Sequence, residues 1–104
     1  MKELSETFHG STQVLAVGEQ FKVALSANPT AGYTWEINRQ DAQYLHLVSE
    51  DQVPYTSEKI GLGTLVTFEF EAIRAGSTEL ELIYRRSWDP NSGMNRFFIK
   101  VEIG

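Results

Sequence analysis

The chain has 104 residues, 14 acidic side chains against 9 basic ones, a formal charge of −5 and no cysteine. That length suits one domain, residues 1–104, and is too short to divide into two cores. Without Cys there is no disulfide scaffold, thiolate nucleophile or thiolate metal ligand, and an acidic chain lacks the clustered Lys and Arg from which nucleic-acid affinity is built.

Apolar residues then alternate with polar ones in short bursts, each the mark of a half-buried strand. In chain order the predicted strands lie near Thr12–Val17, at Phe21, Val23 and Leu25, at Trp35 and Ile37, and near Tyr44–Ser49. They continue at Val66, Phe68, Phe70 and Ala72, at Leu80, Leu82 and Tyr84, and at Phe97, Ile99, Val101 and Ile103. The residues between, such as Lys22, Glu69, Glu71, Glu79, Glu81 and Lys100, suit the wet face of an antiparallel sheet. Gly and Pro punctuate the breaks, and no amphipathic helix of about ten residues is visible. About seven antiparallel strands at this spacing predict an all-β chain, an immunoglobulin-like β-sandwich with Trp35 facing its core.

No stretch approaches the roughly 18 apolar residues that cross a bilayer, and the opening Met1-Lys2-Glu3-Leu4-Ser5-Glu6 lacks a leader's apolar run. The chain as given is expected to be soluble. Its compartment stays open, cytoplasmic or, after processing, vesicular or secreted.

Catalytic ingredients are thin. His9 and His46 are the only histidines and stand in no metal-ligand spacing. Glu69 with Glu71, and Glu79 with Glu81, place carboxylates on one sheet face in superficial likeness to an acid–base pair, but a solvated face has the same pattern. Ser26, Ser87 and Ser92 have no nearby base in a nucleophile motif. No catalytic residue, metal or cofactor is expected.

Three loops are richer. In Asn28-Pro29-Thr30-Ala31-Gly32-Tyr33, Pro29 fixes one φ and Gly32 permits a positive one, so the tip is narrow and stiff; it serves equally as a plain connecting turn. Ile60-Gly61-Leu62-Gly63-Thr64 is a glycine pair leading into a strand, readable as a bulge or tight entry, and is no dinucleotide fingerprint because no helix follows. Tyr84-Arg85-Arg86-Ser87-Trp88-Asp89-Pro90 ends a strand with two cations and a Trp, residue types that anchor interfaces, unless the Trp folds back beneath its loop.

In this order and spacing the three segments resemble the chagasin family of cysteine protease inhibitors, which carries an Asn-Pro-Thr-Thr-Gly-Tyr/Phe loop, a Gly-x-Gly segment and an Arg-Pro-Trp loop. The resemblance runs from the strand at Phe21 to the last strand at Phe97–Ile103. It implies a non-enzymatic, reversible, tight-binding inhibitor of papain-like, cathepsin L-type cysteine proteases, its own or a host's, that plugs the active-site cleft with three neighbouring loops. On that resemblance Asn28, Pro29, Thr30, Ala31, Gly32 and Tyr33 meet the catalytic centre, with Thr30, Ala31 and Gly32 nearest the thiolate. Gly61, Leu62 and Gly63 lie on the substrate-binding side, and Arg86, Ser87 and Trp88 grip the cleft wall. Two residues depart from the family pattern: Ala31 replaces a second Thr, and Ser87 replaces a Pro that would fix φ. The expected partner is a cysteine protease bound one-to-one by a monomer, with no nucleic acid or membrane. The competing reading is a β-sandwich adhesion or scaffolding module that binds a protein or glycan.

Overall fold

A computed structural model of the chain describes residues 1–28, 32–57, 61–86, 88–89, 91 and 95–104, with 54–57 and 61–62 described by backbone alone. Among the described residues there are eight strands: β1 (Lys2–Leu4), β2 (Thr12–Leu15), β3 (Gln20–Ala27), β4 (Tyr33–Gln40), β5 (Leu45–Ser57), β6 (Gly61–Ala72), β7 (Gly76–Arg86) and β8 (Asn95–Ile103). They form two four-stranded sheets, in the orders β1-β3-β6-β5 and β2-β8-β7-β4. The expected all-β sandwich is thus present, with two differences. β1 is an eighth strand, and the edge pairs β1–β3 and β2–β8 run parallel while the remaining pairs are antiparallel.

The period-two pattern translates directly into burial. Phe21, Val23, Leu25 and Ala27 of β3 point inward, as do Val66, Phe68, Phe70 and Ala72 of β6, Leu80 and Leu82 of β7, and Phe97, Ile99, Val101 and Ile103 of β8. Register reinforces the packing: Phe21 lies opposite Phe70, and their rings stack at 5.4 Å. Trp35 takes the core position expected of it, 3% exposed. The carboxylates on the outer faces have polar partners: Ser49 donates to Glu69, Gln20 to Glu71, Arg39 to Glu79 and Asn38 to Glu81. These are bonds of a solvated sheet face, and each pins one strand to its neighbour.

Register also decides which connections share an end. Ala27, the last residue of β3, pairs with Thr64 near the start of β6, while Tyr33, the first of β4, pairs with Arg86, the last of β7. Asn95, the first of β8, pairs with Tyr84. The β3–β4, β5–β6 and β7–β8 connections therefore leave the sandwich at one end. The β5–β6 hairpin continues through Tyr55↔Gly63, Thr56↔Leu62 and Ser57↔Gly61. At ~3.4 Å per residue it projects about 10 Å past the end of β3.

Candidate functional site

The site is built where inward-facing positions run out to the rim. On β4 and β7 the alternation that buries Trp35 and Leu82 continues to Tyr33, Tyr84 and Arg86, which are only half-buried. At this rim the aromatic rings pack on one another. Tyr84 stacks on Tyr33 with centroids 5.4 Å apart and meets Trp35 at 5.1 Å. The Arg86 guanidinium caps this column, 4.8 Å above the Tyr33 ring, in cation–π geometry. Its neighbour Arg85 faces the other way and pairs with Glu36 at 3.1 Å on the outer face, as strand alternation requires.

The same column holds the turn that crosses from one sheet to the other. Trp35 Nε1 donates to the Ser26 carbonyl at 2.9 Å, and the Asn28 backbone N–H donates to Tyr84 Oη at 2.9 Å. The first loop thus leaves β3 bonded to side chains of the opposite sheet. It re-enters through Gly32 at φ +82°, the left-handed region in which a β-carbon is strained.

The third loop closes on that glycine. A β-carbon built on Gly32 would overlap Cη2 of the Trp88 indole and lie 3.0 Å from Cζ2 and 3.3 Å from Cζ3. Only a residue without a side chain lets the ring sit there. Trp88 is nonetheless 71% exposed, the most exposed of the aromatic residues described. One part of the indole rests on Gly32 while most of it faces solvent, so the Trp does not fold back beneath its loop.

The structure thus brings together Asn28, Gly32, Tyr33, Arg86 and Trp88. Gly61, Leu62 and Gly63 stand at the same end as residues of β6, paired with Ser57, Thr56 and Tyr55. The glycine pair is therefore part of the extended ladder rather than a bulge or a turn before it; the register shift of this hairpin lies in β5, between Leu47 and Ser49. Pro29, Thr30, Ala31 and Ser87 lie outside the described residues. Tyr84 stood in the sequence as a strand residue and as the head of the third loop segment, and its bond to the first turn went unforeseen. The signal was its parity with Leu80, Leu82 and Arg86.

A sandwich presenting three connections at one end, two of them interlocked, is a binding module rather than a catalytic cavity. Residues 14–103 match the chagasin family peptidase inhibitor I42, and the chain belongs to that family. It is a cysteine protease inhibitor and not an enzyme. Among its relatives, Amoebiasin-1 of Entamoeba histolytica is 28% identical over 102 residues, covering 96% of this chain and 97% of the relative. The crystal structure of the cysteine protease inhibitor EhICP2 from Entamoeba histolytica superposes with a TM-score of 0.90 at 20% identity, over 99% of this chain and 95% of the other. PbICP-C, solved in complex with falcipain-2, has a TM-score of 0.67 at 19% identity, with both chains fully covered. Among the described residues, no helix is long and apolar enough to cross a membrane.

Proposed function

We propose that the chain is a reversible, competitive, tight-binding inhibitor of papain-like cysteine proteases of the cathepsin L type, acting as a soluble single-domain monomer that inserts its three-loop end into the active-site cleft. The observation that supports this most is the Trp88 ring seated on Gly32 yet largely open to solvent. A large apolar ring held in place before the partner arrives loses little conformational freedom on docking. PbICP-C, a structural neighbour, is solved in complex with falcipain-2, which favours a cysteine protease as the partner.

In this reading Thr30, Ala31 and Gly32 approach the thiolate–imidazolium pair from the first turn. A stiff, bent turn occupies the groove without presenting a scissile carbonyl in attack geometry, so the nucleophile has nothing to cleave. Trp88 packs on apolar surface beside the cleft, and Arg86 meets its polar wall. The β5–β6 hairpin, with Gly61, Leu62 and Gly63, lies along the substrate-binding side. An interface of standard size, about 1,600 Å² in total, with preorganised anchors reaches nanomolar affinity, near −12 kcal/mol. Titrating the protein against papain and a cathepsin L-like protease tests the reading. Competitive one-to-one inhibition is expected, and no inhibition at micromolar protein would overturn it.

A further inference from the structure

Tyr84 stands four residues before Trp88 on β7, yet its hydroxyl bonds the first loop rather than the third. Its Oη accepts the Asn28 N–H at 2.9 Å, where the chain leaves one sheet for the other. Its ring is held between Tyr33, at 5.4 Å, and Trp35, at 5.1 Å. Trp35 in turn fixes the Ser26 carbonyl two residues before Asn28. The start of the first turn and the strand that launches the third loop therefore share one rigid aromatic support, and the Gly32–Trp88 contact closes the ring at the far side.

We propose that Tyr84 is a positioning residue of the inhibitory edge: it holds the Asn28 turn at the height at which Gly32 receives the Trp88 ring. The role of that edge rests on the function proposed above, whereas the anchoring itself does not. The hydroxyl rather than the ring distinguishes positioning from packing. Tyr84→Phe keeps the stack with Tyr33 and Trp35 and removes only the acceptor of the Asn28 amide. The turn then samples other orientations, so fewer encounters with a protease are productive.

The test compares wild type, Tyr84→Phe and Gly76→Ala, the last a destabilising change at the opposite end of the sandwich. Amide exchange at Asn28 by NMR reads the anchor, and the association rate with papain reads its consequence. In Tyr84→Phe the Asn28 amide is expected to exchange about five- to tenfold faster, with inhibition weakened about five- to tenfold, mainly through slower association. Gly76→Ala lowers the melting temperature without changing either readout. Unchanged Asn28 exchange in Tyr84→Phe overturns the proposal, and so does a loss of inhibition no larger than that of Gly76→Ala. If the wild type inhibits no cysteine protease, the functional reading fails, and the Asn28 amide still decides whether Tyr84 anchors the turn.

Discussion

Gly32→Ala perturbs the interlock at its tightest point. The substitution places a methyl group where φ is +82°, at a cost of roughly 1–2 kcal/mol for an L-residue. It also drives the new carbon into the Trp88 indole, overlapping Cη2 and lying 3.0 Å from Cζ2. Neither problem can be solved without moving one loop away from the other. If Trp88 is displaced, an interface anchor is lost, a further contribution of about 2 kcal/mol. Together the two effects predict a loss of about 3 kcal/mol in binding, on the order of 100-fold in inhibition constant. Folding survives, because domains of this size are stable by roughly 5–15 kcal/mol and the core strands are untouched. The assay is the inhibition constant against papain at 25 °C, with circular dichroism as the check on folding. An inhibition constant within threefold of wild type, in a folded variant, would refute the claim that the two loops act as one edge.

Trp88→Ala removes the anchor itself: about 2 kcal/mol of binding should be lost, roughly 30-fold by titration, with little change in melting temperature because the side chain is 71% exposed. Gly76→Ala does the reverse. Its φ is +144° and a β-carbon there would sit 2.6 Å from Cε1 of Tyr44, so calorimetry should show a loss of about 1–3 kcal/mol, a fall of roughly 5–15 °C, while inhibition is unchanged.

Strand alternation made the core legible before any coordinates, because a strand buried on one face must place apolar residues at every second position. Phe21 through Ala27 and Phe97 through Ile103 show this plainly. β1 escaped because three residues with one buried anchor, Leu4, make no period. The outer half of β5 escaped for another reason. Its Glu50, Asp51, Gln52 and Val53 lie on the edge strand of the sheet, opposite Phe68, Thr67, Val66 and Leu65 of β6, and all four are exposed, so no burial constrains their pattern. Gly61 and Gly63 looked like strand entry because glycine is rare in ladders, yet in a hairpin arm projecting past the core they need not fill a packed interior.

The site was legible in parts. Gly32 and Trp88 stood out as residue types, but their contact joins positions 56 residues apart in the chain, and local pattern holds no information about such a distance. Their convergence came from family resemblance, and register supplies its physical basis: Ala27↔Thr64 and Tyr33↔Arg86 put the ends of β3, β4, β6 and β7 together. The Tyr84–Asn28 bond was invisible to both, since a tyrosine at the end of an apolar alternation looks the same whether its hydroxyl meets water or a backbone amide.

The central claim is that one end of this sandwich is the surface a cysteine protease covers. Hydrogen–deuterium exchange of the inhibitor, free and saturated with papain, tests it directly. Protection confined to segments 28–33, 54–64 and 86–95 is the predicted result. Protection at the opposite end, at 16–19, 41–44 and 73–76, with those three segments unchanged, would contradict it.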